Sequence, residues 1–413
     1  MNRYREALLC LLTALACCGL ATAQAPASLP TLQPQVNELG ADLFAHASST
    51  GMVLVVVRNH EVFVQGFGET APGSGVAPTQ DSLLRLCSLS KIFATDLLVK
   101  LVQDGAVHLD DPLQKFASPH IEVPARDNRS ITLLDLATHT AGLTREVGTA
   151  PRRTPHFTYP DYAERWRWLP EQHLLSTPGT VAVYSNVGFD LLGDAMQQAA
   201  HEPYARLLFE RTTKPLGLRE TGFTPTPEQC SHLLAGAKNE GPCTDTQNTA
   251  ASSGLYSTGA DMVRWLQYLL GTEAPAIAAQ TPDAQAVYLR PAQLRSQQGL
   301  DHAGRPSGIG LGWMHLLPDG DPSAIVEKTG GGAGFVTYIA LNPANHTGIF
   351  FAMTDGKPDP DHVNVFKAAN NLLLALNGLP QLPPEPVRRA RPKKPAAPVR
   401  KQGTPTAKSR PHK

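Results

Sequence analysis

Ser88-Leu89-Ser90-Lys91 places a lysine three residues after a serine in this 413-residue chain. A serine hydroxyl is a weak nucleophile until a neighbour takes its proton. On a helix, residues three apart share one face, so the Lys91 amine can reach the Ser88 oxygen. A helix starting at Ser88 would also point N–H groups at negative charge forming there. About one Ser-x-x-Lys is expected by chance at this composition, and an N-capping serine beside a surface lysine has the same pattern. Two further triplets add weight. Tyr184-Ser185-Asn186 and Lys328-Thr329-Gly330 supply, in chain order, a base and an anion holder, and each of the three patterns occurs once.

A phenol titrates at about 10, but beside two lysines its anion is stabilised, so Tyr184 can accept the serine proton. The Asn186 amide both donates and accepts, which suits a substrate peptide bond. Lys328 and Thr329 suit a substrate carboxylate. The glycines from Gly330 onward let a substrate backbone approach a strand edge. The N–H groups of Ser88 and Gly331 make a candidate oxyanion hole, where losing one donor costs about 2.7–4 kcal/mol of barrier. Together the triplets point to a serine acyl-transfer enzyme. Neither a Gly-x-Ser-x-Gly elbow nor a His-Glu-x-x-His is present, and the 14 histidines lack metal spacing. His139 reads as a structural hydrogen-bonder. A phosphate cradle at residues 330–334 would need a following Gly-Lys-Ser/Thr and a helix, and has neither.

These side chains need rigid carriers. Apolar spacing predicts helices over Pro34–Ala47 and Ser88–Asp104, the second with Phe93, Leu97, Leu98, Leu101 and Val102 on one face. Met52–Val57 and Val62–Phe67 read as a hairpin around Asn59-His60. Residues 106–250 read as helices and loops. Helices start near Ile131, near Phe189 after the turn Pro178-Gly179-Thr180, and at Asp261 behind Ser257-Thr258. The segment 272–306 reads as a peripheral insertion. Strands follow over Ala324–Lys328, Phe335–Leu341 and Gly348–Met353, with the Lys-Thr-Gly triplet ending the first. A last helix covers Val363–Leu376. Strands at both ends with helices between predict an α/β (α+β) architecture: an antiparallel sheet built from both termini, flanked by helices, with an inserted mostly helical domain. The divisions are a sheet domain at 24–105 and 251–379, and a helical domain at 106–250.

Both ends of the chain differ in composition from the middle. Arg3 and Arg5 precede an apolar run to Leu20, and Ala21-Thr22-Ala23 fits a cleavage site, so 1–23 reads as a secretory signal peptide and the mature protein as periplasmic. A lipoprotein signal at Cys17 or Cys18 fits less well. Residues 380–413 carry ten of the chain's 36 Lys and Arg, one of its 36 acids and nine prolines, so the body is acidic and the tail basic, extended and disordered. Such a tail suits an anionic wall or membrane surface, or serves only solubility. Nucleic acid is not among the expected partners. With the signal removed, three cysteines remain. Cys230 and Cys243 bracket a polar loop whose spacing suits a local disulfide in an oxidising compartment. Cys87 reads as a small buried side chain.

The three triplets in this order resemble those of the penicillin-recognising serine enzymes, meaning class C β-lactamases and the related DD-peptidases and esterases. The likeness runs from about Val53 to Asp355. It includes residues 136–143 (Leu136 to Leu143), Pro215-Leu216-Gly217-Leu218 and Gly254-Leu255-Tyr256-Ser257-Thr258. Within this family the chain is most similar to the AmpH-type D-alanyl-D-alanine carboxypeptidase/endopeptidases, through Arg145-Glu146 after Thr144, the Cys230 and Cys243 pair, and Lys328–Gly332 leading to Phe335-Val336-Thr337-Tyr338. The resemblance implies the β-lactamase/transpeptidase-like fold and a two-step reaction without metal or other cofactor. Ser88 attacks a D-alanine carbonyl of a peptidoglycan peptide, Lys91 and Tyr184 move the proton, and water releases the acyl-enzyme. It also implies that Asn186 and Thr329 hold substrate, that Lys328 supports the charge, and that β-lactams bind covalently. Gly331 stands where class C β-lactamases commonly carry a serine. The backbone donor is kept and a side-chain contact is lost, so fast β-lactam turnover is less expected. A β-lactamase, an esterase of the same fold and a non-catalytic wall-binding protein are the alternatives.

Overall fold

The computed structural model describes residues 31–382, except 238–240, 273–280, 301, 319 and 355–363. Residues 1–23, read from the sequence as a signal peptide, and nearly all of the basic segment 380–413 lie outside the described residues.

Seven strands form the main sheet: β1 (Gly51–Arg58), β2 (Glu61–Gly68), β3 (Gly308–Ile309), β4 (Met314–Leu316), β5 (Ile325–Gly332), β6 (Phe335–Asn342) and β7 (Thr347–Thr354). Their order is β2-β1-β7-β6-β5-β4-β3, and each neighbouring pair is antiparallel. The pairing of β1 with β7 joins the early and late parts of the chain, with Val53 opposite Ala352 and Val55 opposite Phe350.

All eight residues of β1 are buried. An unbroken apolar run is what a strand covered on both faces requires. The principal helices are α1 (Leu32–Ala45), α2 (Ser90–Gln103), α3 (Asn186–Ala200), α4 (Gly259–Leu269) and α5 (Val365–Leu376). Gly40 of α1 lies against Leu54, while Gly259 of α4 lies against Val53. Side chains alternate along a strand, so α1 and α4 cover opposite faces. Phe366 of α5 packs on Tyr338 and Phe351, on the face shared with Leu54.

Helix α2 differs from the one-faced helix read from the sequence. Ser90 through Leu101 are all buried, including Lys91, Asp96 and Lys100. Its polar groups are satisfied internally. Lys100 Nζ lies 2.7 Å from Asp96, which also accepts from Tyr268 Oη at 2.7 Å and from Thr212. The helix sits between the sheet and the surrounding helices, so only its last residues, Val102 and Gln103, reach water.

Two other expectations are corrected. Lys328-Thr329-Gly330 lies inside β5, which continues through Gly332 opposite Phe335. The segment 272–306 is not simply peripheral. Gln297–Gln298 pairs in parallel with Ala182–Val183, and Leu300 joins Ala182, Tyr184, Ile309 and Met314 in a small apolar cluster. Short strands at Leu83–Arg85 and Tyr256–Thr258 pair with each other beside the Ser88 turn.

Candidate active site

Ser88 sits in the 3-10 turn Cys87–Leu89 that leads into α2. Cys87 before it has φ of 52°, a left-handed conformation that costs a non-glycine residue about 1–3 kcal/mol. The surroundings hold it there. Ser90 Oγ donates to the Cys87 carbonyl at 2.8 Å and accepts from Leu255 N–H at 3.0 Å, and the Cys87 thiol, fully buried, donates to the Gly332 carbonyl at 3.4 Å. The turn is thereby tied to β5 and to the segment before Tyr256.

One turn further, Lys91 has no exposed surface. Its Nζ donates to the Ser252 carbonyl at 2.6 Å and to Asn186 Oδ1 at 2.7 Å, and lies 3.4 Å from Ser88 Oγ. Burial pushes its ammonium down to about 7, against the opposing pull of Asp190 and Glu146. A lysine so placed is a competent proton acceptor near neutral pH.

Tyr184 Oη donates to Ser88 Oγ at 2.6 Å. Three basic side chains lie over its ring, with Arg145 at 4.7 Å, Lys91 at 4.9 Å and Lys328 at 5.2 Å from the centroid. Below it, the His139 ring lies 4.6 Å away. His139 Nδ1 accepts from Ser185 N–H at 3.1 Å, and burial holds this imidazole well below its usual titration range, so the ring is neutral. Ser185 caps α3, with its Oγ accepting from Gly188 N–H and donating to the Thr144 carbonyl. The Gln298 carbonyl accepts from Tyr184 N–H at 3.1 Å. Asn186, the first residue of α3, gives its carbonyl oxygen to Lys91 and donates from Nδ2 to Glu146 at 2.6 Å.

From β5, Lys328 reaches Tyr184 and donates to the Thr329 carbonyl at 2.9 Å, and burial lowers its pKa. The next two glycines have different causes. A Cβ at Gly330 would collide with Thr337 Oγ1 and come within 3.0 Å of the Leu86 carbonyl. At Gly331 the nearest atom to such a Cβ would be 3.7 Å away, so no wall requires glycine there. Thr329 and Gly331 line an open cleft of about 580 Å³ with Ser88, Arg145, Tyr184 and Phe366.

Ser88, Lys91, Tyr184, Asn186 and Lys328 thus converge, with Thr329 and Gly331 in the cleft wall. Cys230 and Cys243 are joined by a disulfide. It stands outside the cleft, and Arg85, three residues before Ser88, donates to the neighbouring Pro242 carbonyl at 2.8 Å. Motif reading left Ser252 and Asp190 unassigned. Arg145 and Glu146, part of the family likeness, here stand beside Tyr184 and Asn186. Chemically, the arrangement offers a hydroxyl with two proton-handling neighbours facing a cleft whose far wall is a strand edge.

A family model described as Beta-lactamase matches residues 37–373. The D-alanyl-D-alanine-carboxypeptidase/endopeptidase AmpH of Escherichia coli (strain K12) is 36% identical over 366 residues, covering 87% of this chain and 95% of that protein. A crystal structure of a beta-lactamase/D-alanine carboxypeptidase from Yersinia pestis complexed with citrate matches with a TM-score of 0.79 at 39% identity, over 83% of this chain and 98% of that one. A class C beta lactamase from Rhodobacter sphaeroides, 20% identical with a TM-score of 0.65 over 83% of this chain and 99% of its own, has the same fold.

Proposed function

The chain belongs to the beta-lactamase family and is a hydrolase of the DD-peptidase and β-lactamase kind, and from that premise we propose that it is a serine D-alanyl-D-alanine carboxypeptidase/endopeptidase. Its substrates are peptidoglycan stem and cross-link peptides, and β-lactams acylate the same serine. The observation that carries this is one oxygen, Ser88 Oγ, lying 2.6 Å from the Tyr184 hydroxyl and 3.4 Å from the Lys91 amine.

Ser88 Oγ attacks the D-alanyl carbonyl carbon, and its proton passes to neutral Lys91. As the C–N bond breaks, Tyr184 delivers a proton to the departing amine and is resupplied from Lys91. Water then enters along the same route and releases the acyl group, regenerating Ser88. Asn186 and Thr329 hold the peptide along β5, Lys328 balances the charge beside Tyr184, and the N–H groups of Ser88 and Gly331 receive the oxyanion.

The same reading makes residues 1–23 a secretory signal and the mature protein periplasmic, with the basic residues of 380–413 facing an anionic wall or membrane surface. Among the described residues, no helix is long and apolar enough to cross a membrane. It also keeps a sheet domain at 24–105 and 251–379 and a helical domain at 106–250 as the working division.

The test is D-alanine release from D-Ala-D-Ala-ended muropeptides, with mass spectrometry of the protein after fluorescent-penicillin labelling. The expected result is release by the wild type, a single adduct at Ser88, and loss of about a thousandfold or more in Ser88→Ala. Release that survives Ser88→Ala, or an adduct on another residue, would overturn the assignment.

A further inference from the structure

Behind Lys91, on the side away from the cleft, α3 places a carboxyl-bearing residue that no motif includes. Asn186 and Asp190 are four residues apart on that helix, hence on one face. Asn186 Oδ1 accepts directly from Lys91 Nζ at 2.7 Å. Asp190 reaches the same amine through one residue: its Oδ1 accepts from Ser252 N–H at 3.1 Å, and the Ser252 carbonyl, on the next peptide group, accepts from Lys91 Nζ at 2.6 Å. Asp190 is itself buried and also lines a second cavity of about 590 Å³, together with Arg165, Asp194 and Tyr204. Lys91 does not line that cavity, and the Tyr204 hydroxyl there is buried without a partner.

We propose that Asp190 is a positioning residue for Lys91: it holds Ser252, whose carbonyl receives the lysine, and it places a carboxyl group behind the amine that takes the Ser88 proton. The inference rests on the acyl-enzyme reading above. During acylation the Ser88 Oγ–carbonyl carbon bond forms while the hydroxyl proton moves to Lys91 Nζ. The ammonium so formed is buried, and a buried cation needs a nearby opposite charge.

Other titratable groups also face the lysine. Glu146 and Arg145 come from the segment after Leu143, Lys328 from β5, and Cys87, His139 and Tyr184 from the surrounding turns. Asp190 in turn faces Arg165, Asp194 and Tyr204. Burial pushes Asp190 up to about 7, opposed by Arg165, by the Ser252 hydrogen bond and by Lys91, so the carboxyl group feels charges on both sides. Arg165 makes its hydrogen bonds to Asp194, at 2.6 Å, whereas the Asp190 carboxyl group accepts from Ser252 N–H.

The experiment is the rate of Ser88 acylation by a fluorescent penicillin, from roughly pH 5 to 9, in wild type, Asp190→Asn and Asp190→Glu, with the adduct located by mass spectrometry. Asp190→Asn keeps an acceptor for Ser252 N–H and removes the charge. Without that anion, protonated Lys91 loses an attraction, so the rise of rate with pH moves about one unit lower and the plateau falls about tenfold. Asp190→Glu keeps the charge, so its rise stays at the wild-type pH even where its plateau drops. An Asp190→Asn profile superimposable on wild type along the pH axis would overturn the proposal. If Asp190→Asn does not fold, Asp190→Ser, which also removes the charge, takes its place: a rise moved about one unit lower supports the proposal, and an unmoved rise overturns it. A wild type with no adduct at Ser88 removes the peptidase reading and this inference together. A labelled wild type with an unshifted Asn variant removes this inference alone.

Discussion

The inner end of the site and its rim are built on different terms. At the inner end, Lys91 is wholly buried and each strong contact comes from a different element: the α3 start, the Ser252 carbonyl and the Ser88 turn. At the rim, Arg145 and Glu146 are half-exposed, and the Cβ position of Gly331 is open. A buried polar group with fixed partners cannot be changed without leaving one of them unsatisfied. A rim side chain can exchange its partner for water. The inner end therefore sets which bond is attacked, and the rim sets which peptide is accepted.

The sharpest way to break this contrast is Tyr184→Phe. It removes a hydroxyl 2.6 Å from Ser88 and leaves the packed ring, so acylation should slow about a hundredfold or more with the melting temperature nearly unchanged. Stopped-flow labelling measures it, and a rate within threefold of wild type would separate Tyr184 from the proton path. Next comes the glycine pair. Gly330→Ala pushes a methyl into Thr337 and the Leu86 carbonyl, at a cost of about 1–3 kcal/mol seen in denaturant melts and at least a tenfold loss of acylation. Gly331→Ala, one residue on, meets only open cleft and should stay within about 0.5 kcal/mol of wild type. Equal costs at the two positions would erase the distinction between wall and rim. The smallest effect is expected for Glu146→Gln. Asn186 keeps its Lys91 contact, so KM for a peptide should rise a few-fold while kcat holds. A fall in kcat matching that of Tyr184→Phe would move Glu146 from the rim to the inner end.

The sheet, the hairpin and the catalytic triplets were readable because each is encoded over a few consecutive residues. Apolar runs mark β1, β6 and β7, and Ser88 with Lys91 is a one-turn relation. The triplets also carried the family resemblance that the comparisons show. Ser252 and Asp190 were not readable, since a backbone carbonyl has no sequence signature and Asp190 gains its meaning only from a peptide sixty-two residues away. The far half of β5 was missed because glycine runs argue against strands, whereas here the missing side chains let Thr337 and the Ser88 turn press against the strand. The two-residue strands at Gly308–Ile309 and Gln297–Gln298 are too short to show periodicity.

The β1–β7 seam carries a consequence for how the protein is born. Gly51 N–H bonds Thr354 Oγ1, partners 303 residues apart, and β5 docks on the Ser88 turn across a comparable distance. Contacts between such distant residues form late. A nascent chain halted before β7 carries every catalytic triplet and still lacks the strand that seats β6 and β5 beside β1. The ribosome consequently handles a silent polypeptide, whose site is assembled only once the last strand closes the seam.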